Sequence, residues 1–165
     1  MKFERVSAYP DAIIPVRATK GSAGYDFTVA EDTTCPAHKV TYVPTGIKMQ
    51  IDDSYYLQLA LRSSAPKKFG VMMANSIGII DSDYYNNPDN EGHIMFAIIP
   101  IGDEDVVLEK GTKIGQGTIM RYGLTDDDMV TELRTGGFGS TDLSDTFSHL
   151  IFNLNSNDLT ETFEE

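Results

Sequence analysis

The chain is short of cysteine, of basic residues and of long apolar runs, and each shortage excludes something. Cys35 is the single cysteine, so no internal disulfide forms, which predicts a reducing, cytoplasmic setting. No run of about 18 apolar residues occurs, so no membrane-spanning helix is expected. The opening Met1-Lys2-Phe3-Glu4-Arg5 lacks the apolar stretch of a secretory signal. Lysine and arginine number 13 against 25 aspartates and glutamates, a net charge of −12. That balance speaks against direct nucleic-acid binding, which needs a basic face. A small phosphorylated ligand is still compatible, because a few local Arg and Lys residues plus a divalent cation offset its charge.

Several chemistries are missing too. His38, His93 and His149 are scattered without metal-ligand spacing, and Cys35 has no CxxC partner. There is no Gxxxx-GK-Ser/Thr phosphate loop and no nucleophile elbow.

What is present is alternation and punctuation. The 165 residues fit one domain, with 14 glycines and 7 prolines separating short apolar segments. Tyr55 to Leu61 alternates strictly, with Tyr55, Leu57, Leu59 and Leu61 on one parity. Thr41 to Ile51 reads as a Pro44-Thr45-Gly46 turn followed by alternating Ile47, Met49 and Ile51. His93 to Ile101 is a longer apolar run whose Pro100 marks an edge or bulge. Val106 to Leu108 and Ile114 to Met120 complete the series. The pattern predicts an all-β sandwich or barrel. One helical signal appears near the C-terminus, where Phe147, Leu150, Ile151 and Leu154 keep i, i+3, i+4, i+7 spacing.

The densest cluster of chemistry is Asn75-Ser76-Ile77-Gly78-Ile79-Ile80-Asp81-Ser82-Asp83-Tyr84. Asn75 can pair with the edge of a base, Gly78 admits close approach to the backbone, and Tyr84 offers a flat face to a sugar. Asp81 follows two isoleucines, which are expected to desolvate it partly and make it a better base toward water. Asp81 and Tyr84 share a pocket only if the chain turns around Ser82 and Asp83. By contrast, Asp83, Asp89 and Glu91 read as a solvated loop. Arg62-Ser63-Ser64 suits phosphate oxygens, or is a capped turn with an exposed Arg. Gly136-Gly137-Phe138-Gly139-Ser140-Thr141 is either a strip that closes over a ligand or a flexible loop with one anchoring Phe. Gln116 is a phosphate donor or a polar strand residue. Asp26 is a turn cap or a partner of metal-bound water.

Taken in order, these segments closely resemble the five motifs of the trimeric dUTPase family. Ala23-Gly24-Tyr25-Asp26 resembles the first, and Arg62-Ser63-Ser64 through Lys68-Phe69-Gly70 the second. Asn75 through Tyr84 resembles the third, Gly111 through Gln116 the fourth, and Arg134 through Thr141 the fifth. The resemblance implies a distorted jelly-roll or β-barrel subunit over residues 1–133. Residues 134–165 would form a flexible C-terminal arm carrying the glycine-rich motif, followed by the acidic tail in which the periodicity above allows a short helix. It implies a homotrimer with composite sites that cleaves dUTP to dUMP and pyrophosphate with Mg²⁺ on the triphosphate.

In that family Asp81 would activate the water that attacks the α-phosphorus. Asn75 and the backbone of Gly78 and Ile80 would read uracil in a narrow hairpin, with Met95 also among the substrate-binding residues. Tyr84 would stack on the deoxyribose and exclude a 2′-hydroxyl. Ser63, Ser64 and Gln116 would hold phosphates, with Arg62 balancing charge and Asp26 contacting metal-bound water or the inter-subunit network. Phe138 would cover the uracil, with Gly139, Ser140 and Thr141 near the phosphates.

Three departures stand out. Tyr85-Asn86-Asn87-Pro88-Asp89-Asn90-Glu91-Gly92-His93 intervenes where the family usually passes at once to a short Arg-Gly strand. The fifth motif ends in Asp142 where glycine is usual, and Arg134 stands one residue closer to Phe138 than in many members, which leaves its role open. The tail is also longer than the motif needs. Loop and tail resemble additions in Gram-positive bacteriophage members, for which the compartment would be the host cytoplasm.

Two alternatives share the fold. A dCTP deaminase needs a carboxylate on the strand after the hairpin, where this sequence has Ala97 and no acid between Ile94 and Gly102. A regulatory protein would engage a protein partner through the loop or the tail, with or without catalysis.

Overall fold

The alternation over Tyr55–Leu61 becomes a strand of those bounds, with Leu57 and Leu59 buried and Gln58 and Ala60 half-buried between them. The computed structural model describes residues 1–132 together with Arg134, Gly136 and Gly137. The expectations for Phe138, Gly139, Ser140 and Thr141, for the helix near Leu150 and for the acidic tail lie outside the described residues.

In chain order the elements are β1 (Lys2–Arg5), β2 (Tyr25–Thr28), β3 (Thr33–Cys35), β4 (Thr41–Gln50) and β5 (Tyr55–Leu61). They continue with α1 (Ala65–Phe69), β6 (Val71–Met73), β7 (Gly78–Ile80), β8 (Ile94–Pro100), β9 (Val106–Leu108) and β10 (Lys113–Arg121). The strands form a sheet of order β1-β4-β8-β6, a second of order β2-β10-β5-β7, and a small β3-β9 pair. This is a jelly-roll-like arrangement of open sheets rather than a closed barrel.

The core joins the two larger sheets. Phe27 of β2 meets Phe96 of β8 with ring centroids 5.8 Å apart, and both are fully buried with Ile47, Leu57, Ile94, Ile98 and Ile114. Two glycines of β10 make that contact possible. A Cβ on Gly115 would run into the Phe96 ring, and one on Gly117 would stand 2.8 Å from Phe27 and 2.9 Å from Leu57. The backbone of β10 is thus itself a wall of the core.

Three local readings change. Pro44-Thr45-Gly46 is no turn: β4 runs through it, with a register shift between Pro44 and Ile47 against β8. Gly46 takes φ +70° there, and its amide donates to His93 Nε2 at 2.8 Å. A short helix, α1, follows Ser64 with Pro66 in its first turn and Gly70 closing it at φ +65°. The stretch around Asn75 is not a ladder hairpin either, because β6 pairs with β8 and β7 pairs with β5. The intervening residues 74–77 carry the chain from one sheet to the other, with Ser76 at φ +62°.

Candidate active site

Among the described residues β7 is the edge of its sheet, so one side of its backbone has no ladder partner among them. Beside it Asn75 is exposed, and Ile77 and Ile79 are 43% and 48% exposed. Gly78 is buried, and its missing Cβ faces inward, where Leu59 would stand 3.1 Å away. The glycine therefore serves the packing of β7 on β5, while the outer edge of β7 is what a ligand can read.

After Ile80 the chain makes a 3-10 turn over Ser82–Tyr84, closed by the Tyr84 amide donating to the Asp81 carbonyl at 3.2 Å. This is the turn that a shared pocket requires. Arg134 reports the result: its Nη2 donates to Asp81 Oδ2 at 2.8 Å and its Nε to Asp83 Oδ1 at 3.0 Å. Its guanidinium lies 5.7 Å from the centroid of the Tyr84 ring. Asp81 and Tyr84 thus both lie against the Arg134 guanidinium.

The expected desolvation of Asp81 is corrected. Its side chain is 50% exposed, and the isoleucine two positions before it also faces solvent. Among the described residues nothing dries the carboxylate, because Ile79 and Asp81 stand at the open edge of the sheet. Tyr84 is the reverse, 7% exposed, with burial pushing its phenol up from the ordinary range so that it stays neutral.

A second cluster lies elsewhere. A cleft of about 240 Å³ is lined by Ala18, Ser22, Ala23, Gly24, Asp26, Arg62, Ser63 and Gln116, so the first, second and fourth motif segments meet in it. Register explains this, since Gln116 of β10 stands opposite Asp26 of β2 on one side and Ala60 of β5 on the other. Asp26 is only 9% exposed and pairs with Arg62 Nε at 3.3 Å and Lys113 Nζ at 3.1 Å. Arg62 is therefore tied inward rather than standing as a free turn residue. The Ser63 and Ser64 side chains are exposed, and Ser64 makes no side-chain capping bond to α1. Gly24 gives the Gln116 carboxamide room, since a Cβ there would overlap its Oε1.

The two clusters sit at opposite ends of β5. Ile80 pairs with Leu57, which places Asp81 near Tyr56, whereas Arg62 and Ser63 follow Leu61. Six residues of strand separate them, roughly 20 Å at about 3.3 Å per residue. Met95 lies on β8 in the other sheet, half-buried and in register with Pro44. It joins neither cluster through a described hydrogen bond. Ala97, the position where a deaminase would carry its acid, is a buried strand residue of β8.

The loop read as solvated is a built structure. Glu91 accepts from the Ser7 amide at 3.2 Å and from its hydroxyl, and pairs with Lys48 Nζ at 3.2 Å. These contacts hold the Glu91 carboxyl below its usual range, the Ser7 hydroxyl foremost. Asp89 Oδ2 accepts the Gly137 amide at 2.6 Å, so the loop also meets the start of the C-terminal segment. Sequence reasoning missed this order, and Asn87-Pro88-Asp89-Asn90 was its signal, a string of residues that fold back on their own backbone.

A family model described as dUTPase matches residues 10–142. The deoxyuridine 5′-triphosphate nucleotidohydrolase of Lactococcus lactis is 45% identical over 143 residues, 84% of this chain and 95% of that protein. The dUTPase from Streptococcus mutans, solved as a crystal structure, aligns at TM-score 0.75 and 44% identity, covering 76% of this chain and 99% of that one. The dUTPase from phage phi11 of S. aureus aligns at TM-score 0.65 and 19% identity, covering 81% and 97%. The likeness to Gram-positive phage members is thus one of fold, and the higher identities lie with bacterial proteins. Matched by the model over most of its length and by a relative of this similarity, the chain belongs to the dUTPase family.

Proposed function

We propose that the chain hydrolyses dUTP to dUMP and pyrophosphate, with Asp81 as the base that activates water. The observation that carries this reading is the convergence of Asp81 and Tyr84 on the Arg134 guanidinium at the open edge of β7. A carboxylate, an aromatic face and unpaired strand backbone within one turn suit a water, a sugar and a base edge. Asn75 and the outer edge of β7 read uracil. Tyr84 presents its ring to the deoxyribose, and Arg134, which covers that ring, gives way to the sugar and turns to phosphate. Asp81 then takes the proton of the water that attacks the α-phosphorus, and pyrophosphate leaves.

The cleft of Arg62, Ser63 and Gln116 suits the phosphates, with guanidinium, hydroxyl and amide donors on one wall. Among the described residues no three His, Cys, Asp or Glu side chains gather as a metal cage. Asp26 is the sole carboxylate lining the cleft and is already held by Arg62 and Lys113. That donor set fits Mg²⁺ arriving on phosphate oxygens, keeping its waters, with Asp26 reaching it through one of them. Bound there, the ion supplies charge neutralisation to the triphosphate.

The roughly 20 Å between the clusters supports a site completed by another copy. A base must lie within about 3 Å of its water, and the water beside the phosphorus it attacks. One chain's Asp81 therefore serves phosphates held by a neighbour's Ser63 and Gln116, in a homotrimer.

The test offers the protein dUTP, dCTP, dTTP and UTP with Mg²⁺ and identifies products. The expected result is dUMP and pyrophosphate from dUTP alone; a deoxyuridine product from dCTP overturns the reading. Asp81→Asn is expected to keep nucleotide binding and lose at least about 100-fold in kcat. Near-normal turnover assigns the base elsewhere.

A further inference from the structure

We propose that Asn90, on the loop between the 3-10 turn and β8, is a positioning residue that holds the Tyr84 hydroxyl and so sets how strictly the site rejects a ribonucleotide. The inference rests on the reading of Tyr84 as the platform for the sugar.

Asn90 Nδ2 donates to the Tyr84 hydroxyl at 2.8 Å, and that hydroxyl donates to the His93 carbonyl at 3.2 Å. The direction of the first bond is fixed by the backbone. Asn90 Oδ1 accepts the Gly92 amide at 3.0 Å, and a main-chain N–H can only donate, so the amide nitrogen must face Tyr84. The same logic orients Asn87. Its Oδ1 accepts the Asp89 and Asn90 amides at 3.1 and 3.2 Å, leaving Nδ2 to donate to the Tyr84 carbonyl at 2.9 Å and to Asn90 Oδ1 at 2.8 Å. Gly92 turns the loop back at φ +81°, so close that a Cβ there would stand 2.6 Å from the Tyr84 carbonyl oxygen.

The loop therefore grips Tyr84 at both ends, by its carbonyl and by its hydroxyl. The ring itself lies under the Arg134 guanidinium, 5.7 Å from its centroid, which a sugar would replace. Rejection of a 2′-hydroxyl by an aromatic face is a matter of space. It works only while the ring cannot retreat. Asn90 is a side chain that opposes the retreat, and with Asn87 and Gly92 it lies on the loop between the 3-10 turn and β8.

Asn90→Asp isolates this contact. It is isosteric and keeps the acceptor for Gly92 and Asn87, yet it removes the N–H given to Tyr84 and makes the phenol's single proton choose between two acceptors. The experiment measures kcat/KM for dUTP and for UTP in the full-length protein, for wild type, Asn90→Asp, Tyr84→Phe and the double variant. The expected result is a rise of about tenfold in the UTP-to-dUTP ratio for Asn90→Asp, the scale of one lost hydrogen bond. In the Tyr84→Phe background Asn90→Asp should move the ratio no further, a coupling that a merely structural loop would not show. A ratio unchanged in folded Asn90→Asp overturns the proposal. Should that variant fail to fold, Tyr84→Phe carries the test, and an unchanged ratio there overturns it too. A wild type without dUTP hydrolysis instead defeats the functional reading itself, whatever the variants do.

Discussion

The His93 imidazole is 9% exposed, and its Nε2 accepts the Gly46 amide, so the ring must be neutral at that nitrogen. Burial pushes it below its ordinary value, while Glu91 and Glu31 pull weakly upward and the Tyr9 ring packs 5.3 Å away. A depressed histidine leaves the unfolded chain binding the proton first. Its contribution is complete above about pH 6.5 and is lost as the pH falls toward the folded value. Urea midpoints measured from pH 7.5 down to 5 should decline, and His93→Gln, which keeps an acceptor, should flatten the decline. The lowered carboxyl of Glu91 acts in a separate window, losing its contribution only below about pH 4.5. Gly24 gives a second residue-scale expectation. A Cβ there would stand 2.4 Å from Gln116 Oε1 and 3.0 Å from its Cβ, so Gly24→Ala should displace the carboxamide and raise KM for dUTP several-fold, as steady-state kinetics would show.

Among the elements, β10 is the sensitive one. Gly115→Ala drives a methyl into the Phe96 ring, which is fully buried and has nowhere to yield. A loss of about 1–3 kcal/mol is expected, read from denaturant midpoints, with Gly21→Ala as a control where nothing lies within 4 Å. Elements of this kind were legible where a single periodicity decides them. Leu57 and Leu59 announce β5 because burial on one face of a strand needs period two. The Asn75–Tyr84 segment stood out by its side chains. Its geometry was not legible, because whether β7 pairs with β6 or β5 is decided by distant partners that leave no mark on the local pattern. The same holds for Asp81, whose exposure depends on what lies beyond Ile79, and for Arg134, whose partners sit some fifty positions back. The helix α1 was hidden by its length, too short for a period to show.

At the scale of the molecule the separation of the two clusters makes a sharp prediction. An Asp81→Asn chain and a Ser63→Ala/Gln116→Ala chain are each expected to be nearly inactive. Mixed equally and refolded together, they should regain about one quarter of wild-type activity if each site draws its two halves at random from two chains. No recovery would mean that each chain builds its own site. The central place of β10 has one more consequence, which concerns synthesis. Among the described residues it alone joins β2 to the β5-β7 pair, and it is the last strand of these in chain order. On the ribosome, the sheet bearing both clusters stays in two pieces until Arg121 has emerged, so a message cut short before that codon yields unpaired strands and no partial enzyme.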